Sequence, residues 1–83
     1  MAHYVYILRS QKDGHFYIGE TSNVEQRLAF HNSGRQRSTK SRIPFELVYT
    51  ETFPDRASSL SREKQIKSWK GGKAFHDLIK NNI

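Results

Sequence analysis

His3-Tyr4-Val5-Tyr6-Ile7-Leu8-Arg9, then Lys12-Asp13-Gly14, then His15-Phe16-Tyr17-Ile18-Gly19-Glu20: the reading of these residues decides the fold. In the first run Val5 and Ile7 fall on one face and Tyr4, Tyr6 and Leu8 on the other. That period of two predicts a strand. Lys12-Asp13-Gly14 centres a turn, and the run from His15 to Glu20 predicts a second strand, so the two form an antiparallel hairpin. Gly19 is out of place in a strand interior. A glycine there marks a bulge or a close backbone approach.

Outward from the hairpin, Ser22 or Asn23 can cap a helix, and Ser22 with Glu25 has the form of a capping box. The helix runs to about Asn32, with Gly34 closing it in a left-handed conformation. Val24, Leu28 and His31 lie along one face at i, i+4 and i+7. Residues 35–44 have no periodicity and read as a loop. Phe45 to Phe53 reads as a third strand, entered after Pro44 and stopped by Pro54-Asp55. Asp55 caps a second helix that continues to about Lys70, where Gly71-Gly72 breaks it. A short last helix from Ala74 to Ile79 packs Phe75, Leu78 and Ile79 on the body. The order β-β-α-β-α-α belongs to the α+β class: a small three-stranded, mostly antiparallel sheet flanked by three helices. Residues 1–83 read as a single domain.

An 83-residue chain buries only roughly 60% of its unfolded surface, so its core is thin. Five Phe, four Tyr and one Trp help to fill it. With no cysteine, a disulfide framework and a cysteine metal site are both excluded. The pattern shows neither a secretory signal nor a membrane span, which sets the expectation of a cytoplasmic protein with no membrane partner. A net charge of +6 and a pI near 9.9 favour polyanionic partners over acidic ones.

Glu63 is the first candidate for chemistry. Ala57, Leu60, Ile66 and Trp69 recur in steps of three, and Glu63 fills the gap between Leu60 and Ile66. It is expected to face inward or to line a cleft. It is also the sole acid between Asp55 and Asp77, among many cations. A partly buried carboxylate needs a partner. Spacing alone favours an ion pair with Lys67 or Arg62; the functional reading is a ligand for a hard divalent cation such as Mg²⁺. Arg27 and His31, four apart, are neighbours on the first helix. Their plain reading is a solvated helix flank and a helix-end histidine; their chemical reading is a phosphate clamp and a proton carrier. Tyr6 and Tyr17, on paired strands, mean little alone. The segment from Gly34 to Arg42 carries Arg35, Arg37, Lys40 and Arg42 with no acid. Its Ser and Thr donors among cations favour phosphate contact over a merely solvated loop. Lys64, Lys67, Lys70 and Lys73 form a second basic ridge.

Taken together these pieces resemble the GIY-YIG nuclease superfamily, over about residues 3 to 80. Tyr4-Val5-Tyr6 looks like the first motif, with Tyr4 where the family has glycine, and Tyr17-Ile18-Gly19 is the second motif intact. Arg27, His31 and Glu63 match the family's Arg, its His or Tyr one turn later, and its Glu in a later helix. Tyr4 to Ser10 and Arg62 to Lys67 are similar to small stand-alone bacterial members. The family often has a polar residue, commonly Asn, after the metal-binding helix; Asn81 and Asn82 are the candidates here.

The resemblance implies a metal-dependent endonuclease that hydrolyses nucleic-acid phosphodiesters, DNA in the first place, in repair, recombination or processing. It implies Mg²⁺ or Mn²⁺ at Glu63, Arg27 on the scissile phosphate, Tyr6 as general base with His31 assisting or sharing that role, and Tyr17 as an orienting hydroxyl. Arg35, Arg37, Lys40, Arg42, Lys64 and Lys67 would bind nucleic acid. A protein partner or a homodimer would supply specificity. The alternative is a non-enzymatic nucleic-acid-binding module or a partner subunit of a larger nuclease.

Overall fold

A computed structural model describes residues 2–80. The elements in order are β1 (His3–Ser10), β2 (Phe16–Thr21), α1 (Val24–Asn32), a 3-10 turn (Lys40–Arg42), β3 (Phe45–Phe53), α2 (Arg56–Trp69) and α3 (Lys73–Lys80). The expected β-β-α-β-α-α order is the observed one. The sheet order is β2-β1-β3, and both pairings are antiparallel.

Alternation places β1 at the centre because both of its faces are apolar. Val5 and Ile7 join Ile18, Tyr49, Ile66 of α2 and Phe75 of α3 in one core cluster. Tyr6 and Leu8 join Phe45, Tyr17 and the α1 residues Val24 and Leu28 in the other. Helices therefore cover the sheet on both sides, α1 on one and α2 with α3 on the other. In β3 the register slips by one: Ile7 pairs with Tyr49 and Leu8 with Leu47, leaving Val48 as the extra residue of a bulge.

Several local expectations are refined by hydrogen bonds. Asn23 caps α1, its side chain accepting from the Gln26 N–H at 3.0 Å; the Ser22–Glu25 box is not used. Gly34 does take a left-handed φ of +79°. The loop is more ordered than its lack of periodicity suggested, because Thr39 and Arg42 donate backbone N–H groups to Gln36 and Thr39, and the chain winds into the 3-10 turn. Its base is closed by Asn32, whose amide accepts from the Phe45 N–H at 2.7 Å and donates to the Phe45 carbonyl at 3.1 Å.

Helix α2 starts as expected, with Asp55 accepting from the Ser58 N–H at 2.7 Å. Its inward face is a correction. Steps of three drift around a helix, whereas steps of three and four stay on one side. Ser59 and Ile66 are the buried residues of α2, while Ala57 is exposed and Leu60 is 39% exposed. Glu63 is half-buried because it lies four beyond Ser59 and three before Ile66. Arg62 anchors the same face to β3. Its Nε and Nη2 each donate to the Glu51 carboxylate at 3.0 Å, and its guanidinium lies 5.2 Å from the Trp69 ring centre. Beyond Lys80, Asn81 and Asn82 fall outside the described residues.

Candidate active site

Tyr6 and Gly19 are direct register partners on β1 and β2. A β-carbon added at Gly19 would lie 2.5 Å from Tyr6 Cζ and closer still to the hydroxyl. The phenol therefore lies across the glycine backbone, over the edge strand. The pairing of β1 with β2 has no register shift, so Gly19 marks a close approach and not a bulge.

His31, the one buried residue of α1, meets that phenol. Its Nε2 is 3.3 Å from the Tyr6 hydroxyl, and its Nδ1 is 3.2 Å from the Thr39 hydroxyl. The Tyr17 ring packs 4.6 Å from the His31 ring and 6.4 Å from the Tyr6 ring, centre to centre. His31 is 1% exposed and Tyr6 3%. Burial, and then the charge of Arg27, hold the His31 imidazole below its ordinary range, so it is neutral at pH 7. The Tyr6 hydroxyl is pushed upward, first by burial and then by Tyr17, with Glu63 and Glu20 adding to it and Arg27 opposing. Tyr6 is thus a protonated phenol beside an unprotonated imidazole.

The charges of Arg27, Glu63 and Glu20 all act on the Tyr6 hydroxyl. Arg27 comes from α1, lies 5.6 Å from the Phe30 ring centre, and lines a groove of about 670 Å³ with Thr21, Ser22, Gln26, Phe30 and Arg35. Glu63 comes from α2. Its side chain is 15% exposed and its carboxylate meets Lys67 at 2.8 Å. The ion pair expected from spacing is therefore present with Lys67, and Arg62 goes to Glu51 instead. Both the pairing and the inward placement of Glu63 hold at once. Tyr6, Tyr17 and His31 thus meet from β1, β2 and α1, and the charges of Arg27 on α1 and Glu63 on α2 both act on the Tyr6 hydroxyl.

The basic residues are on the surface, and Lys67 reaches Glu63 through its ion pair. Arg35, Arg37, Lys40 and Arg42 are exposed, as are Lys64 and Lys67. Arg35 borders the groove, and Arg42 pairs with Asp13 at 3.3 Å. Two residues went unnoticed in the sequence. Thr39, at 3% exposed, looked like one more polar donor of the loop. Glu20 has a side chain only 9% exposed, with His3 at 2.8 Å and Arg56 at 3.7 Å; its place directly after Gly19 was the available signal.

The family described as the GIY-YIG catalytic domain matches residues 2–74. A UPF0213 protein of Staphylococcus haemolyticus is 46% identical over 68 residues, covering 81% of this chain and 82% of that protein. A UPF0213 protein of Natronomonas pharaonis is 46% identical over 67 residues, covering 80% and 78%. The solution NMR structure of the UPF0213 protein BH0048 from Bacillus halodurans shares 37% identity, covers 90% of this chain and 92% of that one, and gives a TM-score of 0.49.

Proposed function

This chain belongs to the GIY-YIG catalytic domain family, a family generally of endonucleases, and from that premise we propose that it is a metal-dependent endonuclease hydrolysing phosphodiester bonds in DNA. The observation that carries the reading is the buried, hydrogen-bonded Tyr6–His31 pair, on which the charges of Arg27 and Glu63 act. The whole of residues 1–83 would act as one nuclease domain, in repair, recombination or processing, in the cytoplasm, with a protein partner or a second copy adding target choice.

The donor set bears on the metal. Among the described residues no three His, Cys, Asp or Glu side chains gather into a cage. A single inward carboxylate suits Mg²⁺ or Mn²⁺, hard cations that keep waters and share substrate oxygens. Glu63 would hold the ion, and Lys67, itself 53% exposed, can swing into water. Bound there, the metal would polarise the phosphate and ease departure of the 3′ oxygen.

The chain's own groups supply the rest. A phenol raised by burial does not ionise unaided at pH 7. It can, however, hand its proton to the neutral His31 Nε2 as it takes one from the attacking water. Tyr6 is then the base that meets water, and His31 is the acceptor behind it. Arg27 binds the scissile phosphate and opposes its growing charge. Tyr17, stacked on Tyr6 and tilted against His31, orients the phosphate or the water through its hydroxyl.

The test is a panel of end-labelled duplex, flap, junction and single-stranded DNAs, with matching RNAs, incubated with the protein and Mg²⁺ or a chelator. Chelator-sensitive cutting of a DNA is the expected result. Binding without cutting anywhere in the panel would leave the non-enzymatic binding module instead.

The basic loop carries its own prediction. Each phosphate contact releases counterions, so log affinity falls against log salt with a slope of roughly −0.9 per contact on duplex DNA. Replacing Arg35 and Arg37 with Ala is expected to flatten that slope by about one to two units. Replacing Arg42 is expected to do less, because Asp13 already holds it. An unchanged slope in the double variant would remove the loop from the interface and leave the Lys64 and Lys67 ridge as the contact.

A further inference from the structure

We infer that Thr39 is a positioning residue whose hydroxyl sets the His31 tautomer that can take a proton from Tyr6. The inference rests on the proposed role of His31 as acceptor and goes beyond it to a residue in the basic loop.

The argument is a count of protons and acceptors. The Tyr6 hydroxyl has one proton, and among the described residues its hydrogen-bonding neighbour is His31 Nε2 at 3.3 Å. His31 Nδ1 faces the Thr39 hydroxyl at 3.2 Å. That hydroxyl in turn can donate to the Gln36 carbonyl at 3.3 Å. A neutral imidazole has one N–H and one bare nitrogen. If Nδ1 carries the proton, it donates to Thr39, Thr39 donates to Gln36, and the bare Nε2 accepts from Tyr6. Every proton then has an acceptor. If Nε2 carries the proton, it points at the Tyr6 oxygen and the Tyr6 proton has no acceptor among the described residues. Unpaired buried donors are rare in folded proteins. The network thus holds His31 with Nε2 bare, the one form able to draw a proton from Tyr6.

Thr39 reaches this position because the loop is fixed around it. Its N–H donates to the Gln36 carbonyl at 3.1 Å, its carbonyl accepts from the Arg42 N–H at 2.9 Å, and Asn32 clamps the loop base to Phe45. The charged side chain acting on His31 is Arg27; Tyr6, Tyr17, Phe30 and Phe45 complete its surroundings. Thr39 lies in sequence between Arg37 and Lys40, so the loop proposed to grip phosphate also aligns the proton acceptor.

The experiment compares wild type, Thr39→Val and Thr39→Ser. Long-range ¹H–¹⁵N correlations of the His31 ring, recorded without substrate, report which nitrogen is protonated. Thermal melts report folding. Wild type and Thr39→Ser are expected to show Nδ1–H; in Thr39→Val that proton has no acceptor, each tautomer leaves one donor unpaired, and Nε2–H is expected to appear at the expense of Nδ1–H. Single-turnover cleavage of the best-cut labelled DNA with Mg²⁺ is expected to fall in Thr39→Val by the factor by which the Nδ1–H form is depleted, and to recover in Thr39→Ser. Thr39→Ala removes the hydroxyl without adding a methyl and serves if the valine is not accommodated. An unchanged Nδ1–H tautomer in the folded valine or alanine variant overturns the inference. A moved proton with wild-type cleavage upholds the positioning but overturns the role of His31 as acceptor.

Discussion

Glu63→Gln is expected to abolish Mg²⁺-supported cleavage while DNA binding survives. Glutamine keeps the shape of the side chain and removes its charge. A bound metal contributes several kcal/mol of charge stabilisation in a reaction of this kind. With about 1.4 kcal/mol per tenfold in rate, the loss is on the order of 10³-fold or more. The ion-pair reading of the same residue makes a different forecast. Lys67 is half-exposed and four residues away on α2, and such helix-surface pairs contribute about 0.3–0.5 kcal/mol. If pairing were the whole role, Glu63→Gln and Lys67→Ala would both lower the melting temperature slightly and leave cutting intact. If Glu63 holds the metal, only Glu63→Gln stops the reaction, and no Mg²⁺ concentration restores the rate. Wild-type cutting by a folded Glu63→Gln protein would remove the metal assignment.

The hairpin, the three helices and the inward side of α1 were legible because each rests on local periodicity. The stripe of α2 was not. Ser59 is buried but polar, so it left no apolar mark, and the apolar Ala57 and Leu60 drew the face off line. Glu63 is inward because of its spacing from Ser59 and Ile66, not because of the steps of three from Ala57 and Leu60. Tyr6, Tyr17, Arg27 and His31 could be singled out by type and separation. Their meeting depends on the phenol crossing Gly19 and on α1 folding back over the hairpin, which no window of sequence contains. Thr39 was illegible for the same reason. A side-chain bond from a loop to a buried histidine has no period, and the cations around Thr39 masked it as one more surface donor.

The second large effect concerns Tyr6 and Arg27 acting in one step. Tyr6→Phe deletes a single oxygen and keeps the ring over Gly19. It leaves His31 Nε2 without its partner, which costs about 1 kcal/mol of stability. The rate is expected to fall about 10²–10⁴-fold, as for loss of a positioned base. Arg27→Ala removes a charge whose contact with phosphate strengthens as negative charge develops. Its rate is expected to fall on the order of 10²–10³-fold, with a smaller change in affinity. Groups that serve one transition state are not additive, so the double variant is expected to be little worse than the poorer single. A folded Tyr6→Phe protein that cuts normally would leave His31 as the base acting directly on water. The most direct measurement of the whole account is single-turnover cleavage by Arg27→Ala, with Mg²⁺ present, DNA saturating and folding confirmed by thermal melt. The account predicts a loss of about 10²-fold or more under those conditions; a rate near that of the wild type would mean that the cluster of Tyr6, Tyr17, Arg27, His31 and Glu63 is not the active site.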